Sequence, residues 1–159
     1  MPIPDSNQFG ATPIEHAGSG RMGSNRGLLV QGWIGIALWM AVGLVLEGLL
    51  GFKSPAYLLD PQRRELFRLA HSHGVLLSLL LIAAALCLRR GVPRAASLPL
   101  RIGAVLMPVG FLLSGVRHPE GDPGPAIWLV PPGALITIFG AVLTGLAVKT
   151  QWAMTEQDS

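Results

Sequence analysis

The sequence predicts an all-α integral membrane protein, a four-helix bundle of up-down-up-down topology. Three observations carry that expectation. Half of the 159 residues are hydrophobic and only 13% are charged, a balance that suits a bilayer better than water. The apolar residues gather into four runs, 28–50, 69–88, 100–117 and 126–148. Each is close to the roughly 20 residues a helix needs to cross a hydrocarbon core about 30 Å thick. The connections between the runs are dense in Gly, Pro and charge, and no stretch shows the two-residue alternation of a strand.

Residues 1–26 are rich in Gly, Ser, Asn and Pro, lack an apolar period, and read as a disordered tail ending in Arg21 and Arg26. The first run is interrupted only by Gln31 and Glu47. It is too long for the apolar region of a cleavable signal peptide, about 7 to 15 residues, so it is expected to remain as a span. After a turn-rich connection, Asp60 offers an N-cap and Pro61 fits the first helical position, where no amide hydrogen is needed. One long helix is expected from Asp60 to Arg90, opening as a charged ramp that carries His71 and His73. Residues 91–99 read as a loop, and the third run is short. The following RHPEGDPGP reads as a solvated turn. Pro131-Pro132 interrupts the fourth run, which should therefore be kinked or in two parts. Residues 150–159 form a polar tail.

Charge orients the bundle. With the N-terminus inside, seven basic residues face the cytoplasm (Arg21, Arg26, Arg89, Arg90, Arg94, Arg101, Lys149) and five face outward (Lys53, Arg63, Arg64, Arg68, Arg117). That bias predicts both termini in the cytoplasm. The net charge of +3 is spread over loops that flank apolar runs, so the lipid bilayer, not nucleic acid, is the expected partner. Cys87 stands alone, which excludes an intrachain disulfide and a CxxC site, and it is expected to pack as a small apolar residue. Trp33, Trp39, Trp128 and Trp152 lie mostly near span ends and read as interface anchors.

Small residues recur along each run and predict close helix packing. The first run has Gly35, Trp39, Gly43, Glu47 and Gly51 in one row, and the second has Ala70, Gly74 and Ser78. In the third the row is Gly103, Met107, Gly110, Ser114 and Arg117, and in the fourth Gly133, Thr137, Gly140 and Thr144. Glu47, a carboxylate within a span, is costly unless it faces protein or a cavity, and its row predicts that it does. With His71, His73 and His118 it forms a candidate outer-face cluster whose imidazole and carboxylate groups suit a transition metal or haem. Against this, His71 and His73 start about 160° apart around a regular helix, so each needs a partner from another element. His71 is expected to point toward Arg64 and Arg68, and His73 to be more isolated.

The glycine-rich first span, the GFKSPAYLLDPQRRELFRLAHSHG connection and the GVRHPEGDPG loop resemble a family of small, uncharacterised bacterial four-span membrane proteins, over residues 28–148. The His71-x-His73 helix opening is more distantly similar to short proteins related to haem-copper oxidase subunit I. The first resemblance implies the fold and no activity. The second implies haem ligation. Three function classes follow: a structural or accessory membrane component with a membrane-protein partner or a second copy, a haem or metal binder through the His/Glu cluster, and a small transporter or channel subunit built around Glu47 and the broken fourth run. Nothing in the chain has the pattern of a Walker loop, a dinucleotide fingerprint or a catalytic triad.

Overall fold

The structure is a computed structural model that describes residues 19–88, 90–119 and 121–157, with side chains described between Asn25 and Met154. It is an all-α four-helix bundle, and no strand occurs among the described residues. The elements are α1 (Ser19–Gly51), a single short turn α2 (Pro55–Leu58), α3 (Pro61–Cys87), α4 (Arg94–Val116), a 3-10 turn (Pro125–Leu129) and α5 (Val130–Gln157). Four segments, Asn25–Gly51, Pro61–Cys87, Arg94–Val116 and Pro125–Met154, are long and apolar enough to cross a membrane.

Boundaries differ from expectation where side chains bond to backbone. α1 starts at Ser19, inside the stretch read as a disordered tail; residues 1–18 of that stretch lie outside the described residues. Asn25 gives the reason. Its amide donates to Ala85 O and Leu88 O, both at 3.1 Å, and its oxygen accepts from Val92 N at 2.8 Å. One side chain thus satisfies carbonyls that the end of α3 leaves open and an amide of the next loop. α4 starts at Arg94, so Pro99, expected in a loop, lies inside it. The helix loses one hydrogen bond there, and Pro99 packs against Gly140 of α5, where a methyl group would lie 3.1 Å from its Cβ. The fourth run opens as a 3-10 turn that passes directly into α5 at Leu129–Val130, so Pro131 and Pro132, where a kink or division was expected, lie in the first turn of α5. α5 then continues to Gln157, through most of the predicted tail, and Gln151 Nε2 donates to Gly91 O at 3.3 Å.

The helices pack in chain order, α1 on α3, α3 on α4 and α4 on α5, with α1 only lightly touching α4. Consequently the inner pair carries the core, in which Leu77, Leu81, Ala84 and Leu88 meet Val92, Ala96, Leu100 and Ala104, with Leu28 reaching in from α1. The outer pair exposes apolar side chains along its length: Leu44 of α1 is 75% exposed and Leu135 of α5 is 68% exposed. Cys87 is exposed rather than packed. Of the tryptophans, Trp33, Trp128 and Trp152 are exposed, whereas Trp39 is buried.

Small-residue rows set the register. Along α4 and α5, Gly103 faces Thr137, Gly133 faces Met107, and Gly140 faces Leu100. Along α1 and α3, Gly32 faces Ile82 and Gly35 faces Ser78. The hydroxyls on these rows turn back to their own helices: Ser78 donates to Gly74 O (2.7 Å), Thr137 to Gly133 O (2.8 Å) and Thr144 to Gly140 O (2.8 Å). They are satisfied without a partner helix, so at these positions close approach, and no hydroxyl hydrogen bond between helices, joins the faces.

Candidate functional site

The end of the bundle where α1 finishes and α3 begins holds all four candidate residues, but not in one place. His71 reaches across to α1. Its Nδ1 lies 2.7 Å from Trp39 O and, since the carbonyl can only accept, Nδ1 carries the proton and Nε2 is the nitrogen left open. Gly43 makes this contact possible. In a helix the carbonyl of residue i is covered by the side chain at i+4, and Gly43 stands four residues beyond Trp39 with none. A methyl group there would sit 2.5 Å from His71 Cε1. In return Trp39, 5% exposed, lays its indole over Gly74, so each helix places one ring on a glycine of the other.

His73 faces elsewhere. Its Nδ1 is 2.9 Å from Leu69 O in its own helix, and its ring lies 5.2 Å from that of Phe111 on α4, tilted by 34°. His118, beyond the end of α4, points to the start of α3. Nδ1 donates to Pro119 O at 3.0 Å, while Nε2 is 2.9 Å from Asp60 Oδ2 but off hydrogen-bond alignment. The His118 side chain is 6% exposed, in a loop expected to be solvated.

Asp60 is the centre of this second constellation, which the sequence reading used only as a helix cap. It accepts from Arg63 N at 2.9 Å, and Arg63 Nε in turn donates to Gly115 O at 3.1 Å, tying α3 to the end of α4. The Arg63 amide, with the charges of His118 and Arg63, holds the Asp60 carboxyl below the usual carboxylate range, against a smaller opposing effect of burial.

Glu47 is exposed and forms no hydrogen bond or ion pair among the described residues. Past Gly43, α1 and α3 diverge and leave a groove of about 890 Å³. Glu47 lines it, as do His71, Arg64, Arg68, Glu65 and Tyr57. The expected proximity of His71 to the Arg64 and Arg68 row is therefore present. The candidate cluster of His71, His73, His118 and Glu47 does not come together: the rings face α1, α4 and Asp60 respectively, and no three His, Cys, Asp or Glu side chains among the described residues could hold one ion. The reason is the angular offset of His71 and His73, each ring being held by a different backbone carbonyl. No family model, curated protein or solved structure matches this chain.

Proposed function

We propose that this chain is an integral protein of a bacterial inner membrane, both termini cytoplasmic, acting as a structural or accessory membrane component. One observation carries the reading: five polar side chains within the candidate spans are spent on helix carbonyls. Ser78, Thr137, Thr144 and His73 bond their own helices and His71 bonds α1, so these groups build and steady helix packing instead of converging on a reactant. The apolar faces of α1 and α5 support a lipid surrounding and a membrane-protein partner or second copy packed against one of them. The seven-to-five basic bias supports the orientation.

The test is site-specific photo-crosslinking in native membranes from Leu44 on α1 and Ile138 on α5, residues 75% and 60% exposed. A discrete protein adduct at one site is expected, and lipid adducts alone at both sites count against an accessory role. Absorption spectra and metal analysis of the purified protein decide the competing class. Stoichiometric haem or metal that disappears in His71→Ala would replace this reading.

A further inference from the structure

The groove between α1 and α3 contains groups that the packing does not use. Arg68 is committed to Glu65, 3.7 Å away on the same helix. Arg64 on α3 and Glu47 on α1 have no ion-pair partner among the described residues and do not reach each other. Tyr57 also lines the groove. It is 5% exposed, yet its hydroxyl makes no hydrogen bond among the described residues. The apolar lining comes from Met40, Leu46, Leu50 and Leu69, of which Met40 is 61% exposed and Leu50 50% exposed. One wall thus ends in a free anion and the other in a free cation, above an apolar flank that opens outward.

From this arrangement we infer that the groove binds a zwitterionic phospholipid bearing a primary ammonium, phosphatidylethanolamine. Its phosphate lies on Arg64, with the Tyr57 hydroxyl as a further donor, and its ammonium crosses the groove to Glu47. Acyl chains run from there past Met40, along α1 toward the bilayer centre. A volume near 890 Å³ falls within the range of about 300 to 1,000 Å³ typical of ligand sites. Charge complementarity selects the headgroup. An anionic lipid satisfies Arg64 and leaves Glu47 facing its own sign, and a choline headgroup brings positive charge with no N–H to donate. The apolar flank selects a lipid over a soluble zwitterion. This inference rests on the membrane reading above.

Native mass spectrometry of the full-length protein in detergent tests it, with titration of phosphatidylethanolamine, phosphatidylglycerol, phosphatidylcholine and soluble phosphoethanolamine. The ethanolamine lipid is expected to bind about tenfold or more tightly than the other two lipids, in keeping with loss of one charge-assisted contact. Glu47→Gln should erase that preference, Arg64→Gln should weaken all three lipids, and Asp122→Asn, at an exposed carboxylate outside the groove, should leave the preference intact. Both altered side chains are unpartnered among the described residues, so an unchanged helical spectrum and elution volume are expected to accompany the lost preference. Equal affinity for the three lipids, a preference that survives Glu47→Gln, or affinities unchanged by Arg64→Gln overturns the proposal. Phosphoethanolamine binding as tightly as the lipid also overturns it, in favour of a soluble ligand. Resistance of the protein to alkaline extraction from membranes is read separately, so failure of the lipid site and failure of the membrane reading are distinguishable.

Discussion

Gly43→Ala isolates the contact that joins α1 to α3. The added methyl group would lie 2.5 Å from His71 Cε1, 2.9 Å from Nδ1 and 3.1 Å from Nε2, so the ring must move. Moving it breaks the 2.7 Å contact with Trp39 O. Overpacking costs about 1 to 3 kcal/mol and the lost hydrogen bond about 0.5 to 1.5 kcal/mol. Replacing a mid-helix glycine by alanine returns about 1 kcal/mol of helix propensity. The net expectation is a loss of about 1 to 3 kcal/mol, read from reversible denaturant unfolding in mixed micelles. Gly48→Ala supplies the internal control, because nothing stands within 4 Å of a methyl group there. It should be neutral or stabilising by up to about 1 kcal/mol. A double-mutant cycle then assigns the cause, since in a His71→Ala background Gly43→Ala has no ring to displace and its penalty should vanish. A Gly43→Ala protein as stable as the parent, or one penalised equally with and without His71, would refute the reasoning.

Asn25→Ala removes three hydrogen bonds at the turn between α3 and α4 and takes the side-chain partner from Ala85 O and Val92 N, Leu88 O still accepting from Gly91 N, so a loss of about 1 to 3 kcal/mol is expected. Faster amide exchange at Val92 is its local signature. Gly140→Ala should destabilise by about 1 to 3 kcal/mol, because its methyl group would meet Leu100 N at 2.9 Å and backbone cannot rotate away. Gly145→Ala, with nothing within 4 Å, should not destabilise. The Asp60 carboxyl titrates lower in the folded chain than in the unfolded one, so its contribution is fully present above the ordinary carboxylate pKa and is lost as pH falls through the depressed folded value. Unfolding followed against pH should show an acid limb that becomes shallower in Asp60→Asn, and an unchanged limb would remove Asp60 from the account.

Helix number, type and packing rows were legible because they depend on composition and on spacing within one segment. Gly103, Gly133 and Gly140 fall where a row of small residues predicts contact. What could not be read depends on which segments meet. Asn25 looks like tail composition until the end of α3 is placed beside it, and nothing local marks it as the partner of Ala85 and Leu88. Trp39 lies on the glycine row of α1, a signal for burial that its residue type masked by suggesting an interface anchor. His118 is a similar case. The loop's Gly and Pro content predicts a turn correctly, but the burial of the ring follows from Asp60, 58 positions earlier.

Glu47 shows how far a row of small residues can be extended. Along α1 the steps at Gly35, Trp39 and Gly43 meet Ser78, Gly74 and His71, and in each pair a glycine on one helix receives a side chain from the other. The next step would bring Glu47 toward Arg68 and Phe67, where neither helix offers a glycine. Phe67 instead packs on Gly115 of α4, and Arg68 turns to Glu65. With no hollow to enter, the two backbones separate, and Gly48 and Gly51 are left facing open space. The spacing rule therefore places Glu47 on the side of α1 that faces α3, while the missing glycine on α3 turns that side into the wall of a groove. One pattern closes the helices as far as Gly43 and then, where it lapses, opens the groove that Glu47 and Arg64 line.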